Sequence, residues 1–382
     1  LLMFYLYNIA GNSILDFADD FYETQAIEDA HFSTYLPIPD DEIAALEEKY
    51  GVTLERQSYA NIETDGTTAR VFSRTEKVDR YAVTGGRDVA SDDEVVISEG
   101  YCVNMDVALG DTVNIGGKDY TVVGYLQRPD YLYMLENEDD SYKNITTFFL
   151  AYFTDAEFET LGETNTQYLV RYNGHDTTDF RGAVHETYTM RSYSPASDNS
   201  RINMVARQAQ MFVMLSYILL VVLPLVAVAL ICIIISRKVK SEQRLIGTLS
   251  ALGYKKRRLM WHYAGFAALP GLVGGILSLV ATELAAQPFG EIGLADYEPM
   301  HITAHLAPVP AVLGVVIPTV MYVLAALLAV RKLLRRDTVE LLAGAAGGEK
   351  RLRRMLAGKK CSFRLKYALR SLVGNPARSF VV

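Results

Sequence analysis

The sequence predicts an α+β extracytoplasmic domain followed by an α-helical transmembrane bundle with three full spans. The first observation is a charge division: residues 1–205 carry 14 Lys and Arg against 37 Asp and Glu, whereas residues 206–382 carry 23 against 8. The second is three apolar segments, 211–235, 259–282 and 307–330, that contain no Asp, Glu, Lys or Arg. At about 1.5 Å per residue, each segment is long enough to cross a hydrocarbon core of about 30 Å.

The loops between these segments predict their orientation. Residues 236–258 contain eight Lys and Arg and one acidic residue, whereas residues 283–306 contain four acidic residues and no Lys or Arg. Because basic loops stay in the cytoplasm, we expect 236–258 and the chain from 331 to lie inside. Residues before 211 and the loop 283–306 then lie outside.

The two ends predict a longer parent protein. Residues 1–10 (LLMFYLYNIA) are apolar but too few to span, so we expect the tail of a preceding transmembrane helix. Residues 379–382 resemble the opening of another span. Cys102, Cys232 and Cys361 fall in three predicted compartments, which argues against an intrachain disulfide.

Residues 11–205 combine helix and strand signals. Helices are predicted at 40–50, with Asp40 as N-cap and Gly51 as stop, and at 155–161 after a capping Thr154. Residues 94–98 read as a strand, and 112–115 and 120–125 as a hairpin joined through Gly116 and Gly117.

Motifs for catalysis are missing from the sequence. It contains no phosphate-binding Gly-x-x-x-x-Gly-Lys-[Ser/Thr] loop, no Gly-x-Ser-x-Gly elbow and no His-Glu-x-x-His helix. We therefore expect no enzyme activity and no cofactor or metal on this chain. His301 and His305 are four residues apart, but two histidines without a third ligand favour an interfacial role over a metal site.

Two further groups in the outer domain have alternative interpretations. Tyr125, Tyr131, Tyr133 and Tyr142 are expected to be half-buried packing residues, with a peptide or lipid groove as the alternative. The acidic run 136–140 is expected to be a solvated loop, since its spacing does not match a calcium-binding EF-hand.

The loop 236–258 carries more than orienting charge. Leu245, Leu249 and Leu252 recur at i, i+4 and i+7, which predicts a short amphipathic helix ending at Gly253. From this pattern alone, the helix either lies on the inner leaflet or docks on a cytosolic partner. In the second span, Gly271 and Gly275, with Gly274 between them, predict close helix packing.

Residues 237–254 (RKVKSEQRLIGTLSALGY) resemble the R-x-E-x-x-x-I-G-x-L-x-A-L-G stretch of FtsX-like ABC transporter permeases, the group that includes MacB. Residues 95–100, 109–113 and 122–124 resemble the periplasmic core domain of that family, and 363–378 resemble the amphipathic helix that precedes the first span of a permease half. The resemblance implies a MacB-like periplasmic core domain at 11–205 and a permease domain at 206–336. A cytoplasmic linker and the start of a second permease repeat follow at 337–382.

This resemblance implies a permease subunit of an ABC-type exporter or mechanotransmission complex in the bacterial cytoplasmic membrane. ATP and Mg²⁺ would be bound by two copies of a separate ABC ATPase, and a second permease half would complete the complex. The lipid bilayer and an extracytoplasmic peptide, lipoprotein or cell-wall hydrolase are the other implied partners, and nucleic acid is not one. The implied ATPase-docking residues are Arg237, Lys238, Glu242, Arg244, Leu245, Ile246, Gly247, Leu249, Leu252 and Gly253.

The alternative function is a membrane-anchored sensor whose outer domain binds a peptide or lipid and signals through the inner loop. A neighbouring reading frame with a Walker A motif would favour the permease, and one with a histidine kinase alone would favour the sensor.

Overall fold

The computed structural model describes residues 1–334 apart from 65, 141, 144, 176, 295 and 296. The predicted second-repeat segment 337–382 lies outside the described residues. The chain divides into two compact units. A helical unit comprises Leu1–Leu6, Leu215–Leu284 and the chain from Leu306, and a sheet unit comprises Tyr7–Met214 and Ala285–His305.

Three long helices confirm a multi-pass membrane protein. They are α6 (Ser200–Ser241), α8 (Lys256–Gly293) and α9 (Pro308–Leu334). Their most apolar 18-residue windows have mean hydropathies of 3.5, 1.9 and 2.4, which suits each for crossing a membrane. The predicted spans 211–235 and 259–282 lie inside α6 and α8, and the third, 307–330, begins one residue before α9.

The first helix is longer than the apolar segment that predicts it. Helix α1 covers Leu2–Thr24, so the boundary drawn at residue 10 falls inside it. Ala10, Ile14 and Ala18 continue an i, i+4, i+8 apolar row, and all three are buried against α6 residues such as Val205. This row explains why the helix continues after its strongly apolar first ten residues.

The sheet unit confirms the predicted combination of helices and strands. Ten strands of the described chain form one mixed sheet in the order β10-β1-β9-β2-β3-β8-β5-β7-β4, with β6 paired to β7. The β3–β8 and β5–β7 pairs are parallel, and the other strand pairs are antiparallel. The strands are β1 Ala30–Thr34, β2 Thr53–Thr64, β3 Thr67–Phe72, β4 Ala82–Gly86, β5 Glu94–Ser98, β6 Thr112–Ile115, β7 Lys118–Gln127, β8 Phe148–Tyr152, β9 Asn165–Arg171 and β10 Met190–Pro195.

Short helices cover the sheet. They are α2 Asp40–Tyr50, α3 Glu99–Met105, α4 Asp155–Glu159 and α5 Thr177–Tyr188. Phe32 and Tyr168 from the strands join Phe180 of α5 in one buried cluster. Val95, Val122 and other strand residues join Tyr101 of α3 and Phe158 of α4 in another. Burial of these apolar side chains is the main term that stabilises the unit.

The predicted helix caps and hairpin turn agree with the structure except at one N-cap and one helix end. The prediction of Asp40 as an N-cap is wrong: the cap is Pro39, in an extended conformation, and Asp40 is the first helical residue. Gly51 ends the helix with φ +68°, as expected for a left-handed C-cap. Thr154 accepts a hydrogen bond from the Glu157 amide, although the helix ends at Glu159 instead of 161. The β6–β7 hairpin is present, with both turn glycines at positive φ.

One loop joins a different unit from the one predicted. Ala285–His305 belongs to the sheet unit, whereas the sequence assigned it to the permease domain 206–336. Its apolar residues Tyr297, Met300 and Ile302 are buried in the same cluster as Ile14 and Val205. Removing these side chains from water holds the loop in the sheet unit.

Candidate functional site

The predicted docking helix is present between α6 and α8. Helix α7 covers Gln243–Ala251, with Gln243, Ile246 and Gly247 buried. The Ile246 side chain is 1% exposed and lies in a cluster with Ile235 of α6, Tyr263 of α8 and Val330 of α9. This cluster fixes the rotation of α7 about its axis.

The three leucines that were predicted to form one apolar face of α7 therefore differ in burial. Leu249 is partly buried against the Ile246 cluster, whereas Leu245 and Leu252 are 56% and 77% exposed. The expected single apolar face is thus divided, because Ile246 and not the leucines faces the helices. These two exposed leucines leave apolar area on α7 that either the inner leaflet or a protein partner can cover.

Glu242 connects the start of α7 to two long helices. Its Oε2 accepts a 2.5 Å hydrogen bond from the Tyr263 hydroxyl of α8, and its Oε1 lies 3.1 Å from Lys238 Nζ of α6. These two contacts, the Tyr263 hydrogen bond first, lower the pKa of Glu242 below its usual value. Glu242 thus stays ionised and holds α6, α7 and α8 together at one carboxylate.

Helix α7 ends in a Schellman motif. Gly253 has φ +92°, its amide donates to the Ser250 carbonyl at 3.1 Å, and the Tyr254 amide donates to the Leu249 carbonyl at 3.0 Å. A residue with a Cβ would be strained at this left-handed position. The glycine predicted as the helix stop therefore has a backbone reason to be there.

A groove follows the end of α7. It has a volume of about 720 Å³ and combines apolar with basic side chains. It is lined by Leu252, Gly253, Tyr254, Lys255, Arg257, Arg258 and Trp261. The basic residues 255–258 were predicted only to orient the chain, and Tyr254 and Trp261 were not predicted as wall residues. Their aromatic side chains close to Leu252 in the sequence were the available signal. Arg237 and Arg244 are also exposed and add positive charge to this loop.

Two of the three predicted packing glycines lie against α9. A Cβ at Gly271 would lie 2.7 Å from Thr319 Cα, and one at Gly275 would lie 3.1 Å from Val315 Cα. The third differs from the prediction: among the described residues, a Cβ at Gly274 would meet no atom within 4 Å apart from the neighbouring backbone of its own helix. The reason is the helical period: Gly274 immediately precedes Gly275 and projects about 100° away from it around α8, whereas Gly271 and Gly275, four residues apart, both face α9.

The histidines and tyrosines that the sequence singled out lie in the sheet unit, not in α7 or the groove after it. His301 lies 3.5 Å from Glu99, and His305 lies 3.6 Å from Asp16, so the two histidines face different carboxylates. Among the described residues, no group of three or more His, Cys, Asp and Glu could hold a metal ion. Tyr131 is buried, whereas Tyr142 is 87% exposed.

The comparison with protein families concerns the region that contains this loop. Residues 217–338 match the family model for the FtsX-like permease C-terminal domain, which is about a third of the chain. No curated protein matches the chain. The matched region includes α7 with the groove after it, all of α8 and α9, and most of the apolar part of α6.

Proposed function

We propose that this chain, which belongs to the FtsX-like ABC permease family, couples ATP hydrolysis on a partner ATPase to movement of its sheet domain. ABC permeases of this family work with an ATPase subunit, and the match over residues 217–338 is the observation that carries the proposal. One ATPase copy would dock at α7 and the groove after it, and the second copy would dock on the second permease half. We further propose that the protein lies in a bacterial cytoplasmic membrane with the sheet unit outside, as the loop charges favour.

The geometry of α7 supports the docking role. One side of the helix is held by Ile246 and Glu242, while Leu245 and Leu252 stay exposed beside a basic groove. An apolar centre with charged residues at its rim is the usual composition of a protein-binding surface. The positive charge of the groove favours an acidic surface on the ATPase.

The division of the helices between units supports a mechanical role. Helices α1, α6 and α8 each contribute residues to both compact units, and α6 alone has 42 residues. Within the sheet unit, the loop after α8 is held by its buried apolar residues and by hydrogen bonds. Displacement of these helices would therefore be conveyed to the sheet unit through continuous backbone.

Leu252→Asp should weaken ATPase binding at least tenfold. Burial of a leucine contributes about 1.5–3 kcal/mol, and a carboxylate in its place would also be desolvated without a partner. The test is affinity in nanodiscs for the ATPase encoded beside the full-length gene. Leu36→Asp, at an exposed leucine of the sheet unit, is the matched control and should bind as the unsubstituted chain does. Equal affinity of both variants, or no ATPase binding at all, would contradict the docking role.

Tyr263→Phe should preserve ATPase binding within about twofold but reduce coupling. The substitution removes only the hydroxyl that donates to Glu242, which frees the start of α7 from α8 at a cost of about 1–3 kcal/mol for a charged hydrogen bond. Spin-label distances between Thr248 and Leu36, measured with and without ATP, report the movement.

Tyr217→Phe is the control for this variant, since it removes a hydroxyl from a neighbouring span and leaves Glu242 untouched. An ATP-dependent distance change of full size in Tyr263→Phe would show that Glu242 does not transmit motion.

A further inference from the structure

We infer that an open cavity in the sheet domain, of about 750 Å³, binds the oxyanion of a small hydrophilic ligand, a carboxylate or a phosphate, through Arg70 and Arg201. This inference does not rest on the proposed coupling to an ATPase. It rests on how the two guanidinium groups are held in the cavity wall.

The cavity lies at strands β10, β1, β9, β2 and β3, on a polar part of the sheet. In β1, Phe32 belongs to the apolar cluster shared with α5, while its neighbours His31 and Ser33 carry polar side chains. Ser33 pairs with Ser192 across the β1–β10 ladder, and their hydroxyls are 2.6 Å apart. Residues 136–139, together with Tyr131, form another part of the wall.

Arg70 is a fixed cation in this wall. It is 6% exposed, and its Nε donates to Asn61 Oδ1 at 2.8 Å. Its Nη1 donates to the Tyr131 hydroxyl at 2.7 Å and to the Glu136 carbonyl at 2.8 Å. These three acceptors are neutral, although buried charges are normally paired with an opposite charge. The group is therefore positioned in advance, with its Nη2 outside these bonds.

Arg201 meets Arg70 at the same carbonyl. It is 8% exposed, its Nη2 donates to the Glu136 carbonyl at 2.7 Å, and its Nε donates to the Leu135 carbonyl at 3.0 Å. Its guanidinium carbon lies 4.3 Å from the centre of the Tyr131 ring. Two guanidinium groups thus converge on one neutral oxygen. An oxyanion between them would reduce their mutual repulsion and accept a charge-assisted hydrogen bond from Arg70 Nη2.

The carboxylates of the wall restrict the charge of the ligand. Glu138 lies 2.8 Å from His31 Nε2, accepts from the Ser194 hydroxyl at 2.5 Å and is 3.6 Å from Arg201 Nη1, so it is already paired. Glu136 and Asp139 also line the cavity. Because these carboxylates would repel a multiply charged anion, we expect the ligand to carry one oxyanion group.

Calorimetric titration of the full chain in nanodiscs tests this inference. The carboxylate probe is N-acetylalanine with its neutral amide as control, and the phosphate probe is dimethyl phosphate, a diester that carries a single charge. We expect saturable binding of one or both anions and none of the amide. Arg70→Lys and Arg201→Lys should each weaken binding at least tenfold, because one ammonium group cannot both keep the hydrogen bonds that fix the guanidinium in the wall and donate to the ligand. Arg74→Lys, at a partly buried arginine paired with Asp88 outside the cavity, should leave binding unchanged.

A second variant keeps the test decisive if the arginine variants do not fold. Ser192→Trp places a large side chain in the cavity from an exposed position of strand β10 and leaves both arginines intact. It should abolish binding. The inference would be overturned if neither anion showed saturable binding up to about 10 mM. A Kd above this concentration corresponds to a binding free energy weaker than about 3 kcal/mol. Unchanged affinity in Arg70→Lys, Arg201→Lys and Ser192→Trp would also overturn it.

Discussion

Gly271→Leu is expected to separate α8 from α9 and to lower the unfolding free energy of the helical unit by about 3 kcal/mol, as overpacking of a tight contact does. The Cβ of a side chain at residue 271 would lie 2.7 Å from both Thr319 Cα and Thr319 Oγ1. The first of these is backbone, so no rotamer change relieves the overlap. In a bilayer, where apolar side chains gain little by leaving lipid, close packing of small residues is a main source of helix association.

Gly274→Leu is the matched control for this prediction. It makes the same chemical change on the same helix, but among the described residues no other helix lies within 4 Å of a Cβ at this position. It should therefore change the unfolding free energy of the helical unit by less than about 0.5 kcal/mol. Steric-trap unfolding of the purified chain in bicelles measures both variants on one scale. Equal destabilisation by the two substitutions would mean that helix propensity or insertion, and not the α8–α9 contact, governs the outcome.

These two glycines show what sequence pattern can and cannot predict about the spans. The spans themselves follow from apolar length, because a bilayer requires about 20 apolar residues whatever the neighbours are. The small-residue spacing points to Gly271 and Gly275, where an added Cβ would lie against α9. Which glycine faces which helix depends on the rotation of α8, and only the positions of Thr319 and Val315 determine that.

In the sheet unit, features formed by neighbouring residues can be predicted from the sequence, whereas pairings between distant segments cannot. The β6–β7 hairpin is predictable because its Gly116–Gly117 turn is local. The parallel pairing of β3 with β8, where Thr68 lies opposite Phe148, joins segments that are far apart in the sequence. No turn residue encodes such a pair, so the strand order could not be predicted.

The candidate sites also combine local features that the sequence predicts with long-range contacts that it does not predict. The leucine spacing predicts α7, but Ile246 sets which leucines are exposed. The Arg70–Arg201 pair has no sequence signal, since a strand and a helix bring the two residues to one carbonyl. Arg128 is also buried, and its guanidinium donates two hydrogen bonds to the Asp130 carboxylate. No sequence pattern predicted this ion pair.

Glu298→Gln is expected to remove most of a pH-dependent loss of stability in the sheet unit. Glu298 is buried, and its Oε2 accepts a 2.7 Å hydrogen bond from the Gly100 amide, whereas its Oε1 has no partner among the described residues. Burial, with a smaller contribution from the charge of Glu99, raises the pKa of Glu298 to about 8. A neutral side chain of the same shape can keep the bond from Gly100 without carrying a buried charge.

The sign of the effect follows from proton binding in the two states. A glutamate carboxyl group in the unfolded chain has a pKa of about 4.5, so between about pH 4.5 and pH 8 the unfolded chain has released a proton that the folded chain retains. Stability should therefore fall as the pH rises through this window and level off above about pH 8. The largest possible difference from Glu298→Gln is about 5 kcal/mol at alkaline pH, at about 1.36 kcal/mol per pKa unit, and the variants should be nearly equal near about pH 5.

Unfolding free energies of the full chain, measured across this pH range, test the assignment. Glu159→Gln, at an exposed carboxylate of α4, is the control and should leave the slope unchanged. A slope that persists in Glu298→Gln would assign the pH dependence to another group. Loss of the slope would instead show that a neutral Glu298 helps to hold the loop 285–305 in the sheet unit. In that case, movement that separates Glu298 from Gly100 would become easier as the pH rises, because the exposed carboxyl group then ionises in water.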